Sequence, residues 1–382
     1  MEQEMNFRFW RKREKFLLLE VRPDRTTALF LSMDRENRLR VDREKERIGP
    51  KEMQAFLKVH RAKSNIIIAA DPSLVVTSFL PLHIERATKD TPLSPTELEN
   101  ILSKGIAQVF NQCRADAAQE LGVDDLDTIL VNSQVVHFKI DGHQVLNPVG
   151  FPAKSVQAVA ELTLTTRAVF ERLHELLASH RTFFFTEPGR AGLLSIAKVR
   201  GLPTQLVTLG AEQSSYFVMQ KAAVGYHMTR ARLVWHTVRF RETIADAFGV
   251  THQIAQDLYA LYLAGGLSAS ATKYFDRLVK PSLQALSAEL KLAHLKGEAH
   301  CAVDLPLPVT LPYRSGGVTL TEPPLADIMQ ALGISFVPDE WGRTTAERFV
   351  RVAPFLEFYF KKNTSEINEW LKRHMNWLGA SV

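Results

Sequence analysis

The chain has 382 residues, 46% of them hydrophobic and 23% charged, enough apolar material for one large core or several small ones. Lys and Arg outnumber Asp and Glu by 47 to 42, a charge too dilute over this length for a dedicated nucleic-acid binder, so no nucleic-acid partner is expected. No apolar run approaches the roughly 20 residues that span a bilayer, no signal peptide is readable at the basic start, and Cys113 and Cys301 have no partners at metal-ligand spacing; the expectation is a cytoplasmic protein with no structural metal.

Basic residues crowd the start (Arg8, Arg11, Lys12, Arg13, Lys15) around Phe7, Phe9 and Trp10, and return at Lys361, Lys362, Lys372 and Arg373, so both chain ends are candidates to face anionic lipid. Residues 16–21 and 26–31, joined by Arg22-Pro23-Asp24-Arg25, read as two strands and a turn. The run 65–70 is apolar throughout and is predicted to be a strand buried on both faces. Residues 96 to about 118 carry Leu98, Ile101, Leu102, Ile106, Val109 and Phe110 at helical spacing. Strands follow at 128–131 and 135–140, the second turning at Asp141-Gly142, a dipeptide suited to the two positive φ angles of a tight hairpin. A strand at 155–163 and a helix over 166–178 complete a compact α/β unit inserted between Leu82 and Phe183. Beyond it, strands at 183–185 and 206–209 flank a helix around 191–199, and 216–220 pairs with 225–228. Helices are expected over 243–248, 253–263 and from 272 to about 295, with Pro281 kinking or splitting the last. Strands near 301–303 and 309–311, a helix around 325–332 and the segment 355–360 close a second half. No solenoid-type repeat is visible.

Two α/β halves, each opening strand-turn-strand, with a small insert in the first, resemble the actin-like ATPase fold, a duplicated ribonuclease H-like architecture. The arrangement resembles that of the bacterial cell-division FtsA family and its pilus relative PilM. Asp141-Gly142 followed by Asn147-Pro148-Val149-Gly150 and the strand 155–163 looks like the "DG…NPxG" hairpin of the FtsA insert. Ile244-Ala245-Asp246-Ala247-Phe248-Gly249 is similar to the helix after the family's second phosphate hairpin, and Trp370-Leu371-Lys372-Arg373 with Trp377-Leu378 is similar to its tail. The resemblance implies an α/β, actin-like two-lobe fold: a first lobe (1–82 and 183–204), an FtsA-type insert (83–182), a second lobe (205–360) whose small subdomain is reduced to helices at about 250–300, and a C-terminal membrane-targeting helix (361–382).

The resemblance also implies where a nucleotide would sit. Actin-like folds hold ATP between two β-hairpins whose glycines let backbone amides approach the phosphates, with an acidic residue in each hairpin ordering Mg²⁺ and water. In the first hairpin the family's Asp-Ile-Gly-Thr/Ser falls on Glu20-Val21-Arg22-Pro23, so a carboxylate survives, with Asp24 beside it, but Arg22 replaces glycine and Pro23 removes a donor. In the second, Asp-Ile-Gly-Gly-Gly-Thr-Thr falls on Thr208-Leu209-Gly210-Ala211-Glu212-Gln213-Ser214: the acid is lost, Gly210 remains, and Glu212 sets a negative charge where phosphate oxygens belong. The nucleoside-side Glu and Lys become Gln256 and Tyr259, and Gly316-Gly317 is the counterpart of the adenine-side Gly-Gly. Jointly these changes imply a pseudo-ATPase without a cofactor; weak ATP binding with Mg²⁺ through an Arg22–phosphate pair is the alternative.

Near the end, Asn363-Thr364-Ser365-Glu366 is a good helix start. On a 100° wheel Ile367, Trp370, Leu371, Met375 and Leu378 share one arc, Trp377 flanks it, and Asn368, Glu369, Lys372, Arg373 and Asn376 take the remainder, the pattern of a short helix lying on a membrane surface. The resemblance then implies a cell-division adaptor that tethers the tubulin-like FtsZ to the cytoplasmic face of the membrane at the division site, binds the FtsZ C-terminal peptide, and self-associates into filaments. The candidate peptide surface is the helix bearing Phe275, Arg277 and Lys280. The alternatives are a PilM-like scaffold of type IV pilus assembly and a functional ATP-binding relative. His137, His143, His227 and His236 have no nucleophile and acid in a recognisable context, and no Walker-type loop exists. Deletion of residues 365–382 is expected to move the folded protein from anionic liposomes to the supernatant in a co-sedimentation assay; unchanged sedimentation would remove the tail from the membrane account.

Overall fold

The computed structural model describes residues 13–23, 25–49, 51–52, 55, 64–87, 89–177, 183–211, 213–337, 344–361 and 368. The chain opens with β1 (Glu14–Val21), β2 (Thr26–Met33), β3 (Arg38–Lys45) and β4 (Ser64–Ala70). The insert follows: β5 (Val75–Glu85), α1 (Pro95–Leu121), β6 (Thr128–Ile140), β7 (His143–Val145) and β8 (Ser155–Thr166). Next come α2 (Arg167–Leu177), β9 (Phe184–Thr186) and α3 (Pro188–Arg200). The second half holds β10 (Thr204–Leu209), β11 (Ser214–Lys221), β12 (Tyr226–Leu233), α4 (Val238–Phe248), α5 (His252–Leu263), α6 (Ala269–Leu292), β13 (Gly297–Val303), β14 (Tyr313–Ser315), β15 (Val318–Thr321), α7 (Leu325–Ala331), β16 (Ser335–Phe336) and α8 (Thr345–Phe360).

The two large sheets repeat one topology. The first runs β16-β3-β2-β1-β4-β9 and the second β12-β11-β10-β13-β15-β14. In each, three antiparallel strands (β1–β2–β3, β10–β11–β12) lead to a fourth parallel to the first and a fifth parallel to the fourth. Strand period 2 explains the layers this creates. On β1, Leu17 and Leu19 face one core with Val169 and Leu173 of α2, while Phe16 and Leu18 face another with α3, α8 and the second sheet's Leu206 and Phe217. The outer face of the second sheet packs on α4, α5 and α6. The insert is a separate four-stranded sheet, β5-β8-β6-β7, with α1 on one face.

Local chemistry sets the element ends. Ser94 caps α1 by accepting from the Glu97 N–H at 3.1 Å, Pro95 occupies its first turn, and Gly122 leaves it in the left-handed conformation. Asp141 and Gly142 adopt φ of 46° and 87°, as the Asp-Gly pair predicts. The Asp141 carboxylate also accepts from the N–H groups of Lys154 and Ser155 at the start of β8, and these bonds hold it below the usual carboxylate range. Thr344 and Glu347 form a capping box on α8.

Several expectations are corrected. The charged strand β3 was hidden because only Leu39 is buried along an edge of mostly charged residues. Residues 128–140 are one strand, in which buried Ser133 and Gln134 interrupt the apolar pattern and the register shifts twice. Pro281 does not split α6, which runs unbroken through it, and it lies on the exposed side of the helix. Residues 309–311 are not a strand, because Pro308 and Pro312 cannot donate to a ladder; the hairpin is β14–β15. Residues 355–360 end α8, which packs back on α3 of the first half.

Gly189, in the first turn of α3, is required by packing: a Cβ there would stand 2.2 Å from Cε2 of Phe217, whose ring is fully buried. Gly189→Ala is therefore expected to lower the unfolding free energy by about 1–3 kcal/mol, the usual cost of overpacking, read as a shifted urea midpoint at constant m-value.

Candidate functional site

Between the two large sheets, the β1–β2 turn meets the end of β13. Arg22, closed into its turn by an N–H to the Arg25 carbonyl at 2.9 Å, is 6% exposed. Its guanidinium donates through Nε to Glu20 Oε1 at 2.8 Å and through one terminal nitrogen to Glu20 Oε1 at 2.5 Å and Asp304 Oδ2 at 2.7 Å. Asp304 Oδ2 accepts in turn from the Ala211 N–H at 3.3 Å, in the β10–β11 turn. Burial pulls the Arg22 guanidinium down, but the charges of Asp304 and Glu20, with Asp71 adding a smaller share, outweigh it and hold the group above its ordinary value. Arg172 of α2 fixes the turn from below, donating to the Arg22 carbonyl at 3.1 Å, the Pro23 carbonyl at 3.3 Å and Thr26 Oγ1 at 2.9 Å.

The second turn is as constrained as the first. A Cβ on Gly210 would meet the Gln213 carbonyl oxygen at 2.1 Å, so only glycine fits. The Gly210 carbonyl accepts from the Thr237 N–H at 2.9 Å and its hydroxyl at 3.1 Å, which ties the turn to the start of α4. Glu20, Arg22 and Gly210 gather around Asp304. Asp24 and Glu212 lie outside the described residues.

A second charged junction joins the insert to both halves. Arg190 of α3, fully buried, donates to Glu161 Oε1 of β8 at 2.5 Å and to Thr186 Oγ1 at 2.7 Å, and pairs with Glu357 Oε1 of α8 at 2.7 Å. Gln134 Nε2 also donates to Glu161, at 2.6 Å, and Lys361 pairs with Glu357 at 2.8 Å. Arg230 of β12 donates to Glu187 Oε1 at 2.9 Å, Glu120 Oε1 at 2.6 Å and the carbonyls of Pro72 and Val75, both at 2.8 Å. Burial raises the Glu187 carboxyl against the pull of Arg230 and Arg190. Burial alone would also raise Glu357, but Arg190 and Lys361 hold it below the usual range.

The remaining sequence candidates lie elsewhere. Gln256 is exposed and its carboxamide oxygen accepts from Arg241 at 2.9 Å. Gly316 and Gly317, with φ of 60° and 88°, form the β14–β15 turn, and Gly316 is pressed against the backbone of Ser287 in α6. Phe275 is corrected as a partner-binding residue: it is 3% exposed, packed between Phe248 and Tyr262, and only Arg277 and Lys280 of that group reach the surface. Ile367, Trp370, Leu371, Lys372, Arg373, Met375, Trp377 and Leu378 lie outside the described residues. Sequence reading missed Asp304, Asp71 and Arg172. Asp304 directly follows a predicted core strand, the one signal that would have nominated it.

No protein-family model matches the chain, and no curated protein does. Among solved structures, it is similar to a PilM–PilN type IV pilus biogenesis complex, with a TM-score of 0.52 at 12% identity over 92% of this chain and 99% of that one. Two others are the ethanolamine utilization protein EutJ from Carboxydothermus hydrogenoformans (TM-score 0.33, 9% identity, 91% and 90% covered) and a Bacteroides thetaiotaomicron protein with an actin-like ATPase fold (TM-score 0.30, 9% identity, 88% and 95% covered). The chain has the actin-like α/β fold; that statement rests on the first of the three and extends to the fold alone.

Removing one partner of a buried ion pair leaves the other charged and unpaired. Arg22→Ala is expected to lower the unfolding free energy by about 3–5 kcal/mol, and Arg22→Ala with Asp304→Asn to recover part of that loss, both measured by urea denaturation.

Proposed function

We propose that this chain is a nucleotide-independent scaffold of actin-like fold that works at a membrane surface. The observation that carries this reading is the Arg22 ion pair, which spans the turn of the first hairpin and the end of β13. Phosphoryl transfer needs donors turned toward the phosphates and a carboxylate free to order metal and water. Here Glu20 and Asp304 are engaged by a guanidinium, and the Ala211 amide is engaged by Asp304. A triphosphate entering this cleft would have to displace that network and face Glu20, Asp71 and Asp304.

The sequence resemblance to FtsA names the partner: the FtsZ C-terminal peptide, held near the cytoplasmic face of the membrane by the tail, with self-association into filaments. Among the described residues no helix is long and apolar enough to cross a membrane, so the reading relies on surface attachment by the tail. A second reading, a pilus-assembly scaffold, is favoured by the likeness to PilM over nearly the whole of both chains.

Titration of the protein with Mg-ATP in a calorimeter is expected to give no binding heat; saturable heat, or hydrolysis above a Glu20→Gln control, would end the nucleotide-independent reading. Fluorescence anisotropy with a labelled FtsZ C-terminal peptide separates the partners: saturable binding supports the division role, and its absence leaves the pilus reading.

A further inference from the structure

The tip of the β11–β12 hairpin, which belongs to the second half, rests on β6 of the insert. Its turn is closed by the Ala222 N–H donating to the Gly225 carbonyl at 3.2 Å. The His137 ring of β6 is pressed on Gly225, where an added Cβ would stand 2.2 Å from Cδ2 and 2.4 Å from Cγ. The same ring meets that of Tyr226 edge to face, with centroids 4.9 Å apart and planes at 90°. Tyr226 packs in turn on Phe79 of β5, centroids 5.3 Å apart, and the Lys139 ammonium donates to the Ala223 carbonyl. An irregularity in β6 aims the imidazole. The register of β6 on β8 slips between Val135 and His137, so Val136 is an extra residue and His137 stands opposite Val159. Opposed residues share a face of the sheet. Val159 belongs to the core between the large sheets, whereas Ala158 and Ala160 pack with α1; without the bulge, Val136 would stand opposite Val159 and His137 would be turned to α1.

These surroundings suit the neutral ring. Nε2 is buried with no hydrogen-bond partner among the described residues, and protonation would make both ring nitrogens donors. The cations facing the ring are Lys139 on its own strand and Lys198 on α3. The carboxylate on this face, Glu161 of β8, is already engaged by Arg190, Gln134 and Lys361. The Tyr226 phenol, pushed up by burial, stays neutral.

We propose that the β11–β12 tip is a latch on the insert that protonation of His137 releases: the proton binds at a ring nitrogen, the imidazolium leaves the surface of Gly225 and Tyr226, and the second half lets go of the insert at this point. Burial, with Lys198 adding a smaller share, holds His137 below the ordinary imidazole value. The latch is therefore at full strength above the ordinary value of 6.5 and weakens as pH falls below it. The ion pairs of Arg190 and Arg230 keep their arginine charges throughout, so the insert stays attached while the tip swings free. Release uncovers the His137 and Tyr226 rings.

The test uses the full chain with two nitroxides, at Ala222→Cys on the exposed tip and at Gln144→Cys on β7, which stands opposite Lys139. Both native thiols are buried, and burial pushes Cys301 up to about 12, so labelling is confined to the introduced sites. Electron–electron distance measurement is expected to give one narrow distance at pH 7.5. At pH 5.5 the open, broadly distributed population should grow by about tenfold, the factor for one buried donor left unmet. His137→Phe and His137→Gln, neither of which titrates, should each give the same distribution at both pH values. In the unlabelled parent protein the His137 Cε1–H resonance should titrate below 6.5. A parent distribution unchanged between the two pH values, a pH step that persists in either variant, or a His137 resonance titrating at or above 6.5 overturns the proposal.

Discussion

A guanidinium taken out of water must be met by carboxylates, and between the two hairpin turns this fold brings carboxylates from both halves to one point. Arg22 fills it, with Glu20 from its own strand and Asp304 from the end of β13. Here the closing charge is covalently part of the chain and always present, because arginine stays protonated at any physiological pH. The ion pairs of Arg22 thus link the first hairpin to the end of β13 within the chain itself.

The second junction does for the insert what the first does for the halves. Arg190 and Arg230 lie on α3 and β12, yet their carboxylate partners come from α1, β8, α8 and the start of α3 itself. Buried ion pairs add little net stability over apolar packing, but a misplaced charge is costly, so they favour one relative placement of the parts. Around this junction the insert sheet also packs Phe79 and Val159 into the core shared by the two large sheets. Two positional locks and a common apolar core fix the insert against both halves.

How far the sequence went follows from how local each signal is. The turn chemistry of Asp141-Gly142 and the helical spacing of Leu98, Leu102 and Ile106 are complete within a few residues, and the structure agrees with both. The strand-turn-strand at residues 16–31 was legible, and so was the place of Arg22 within it. Its partner was not, since 282 positions separate Arg22 from Asp304 and charge alone does not say which acid it meets. The Arg190 and Arg230 networks were hidden for the same reason. Phe275 failed differently: an aromatic in an amphipathic helix reads alike from either side until the wheel is anchored, and here Tyr274 is the exposed ring. The strand β3 was lost because a solvent-facing edge carries charges in place of alternation.

The repeated topology of the two sheets explains why the fold does not depend on what the cleft holds. Each sheet has its own outer helical layer, α2 on one and α4 to α6 on the other, and the two share α3 and α8 between them. Most of the buried apolar surface lies in these layers and not at the mouth of the cleft, so the hydrophobic contribution to stability does not depend on what the cleft holds. The cleft needs only charge neutrality and closed turns. Arg22 supplies the first, and Gly210 with Arg172 supplies the second. The turn chemistry of the cleft is thus separate from the layers that specify the architecture.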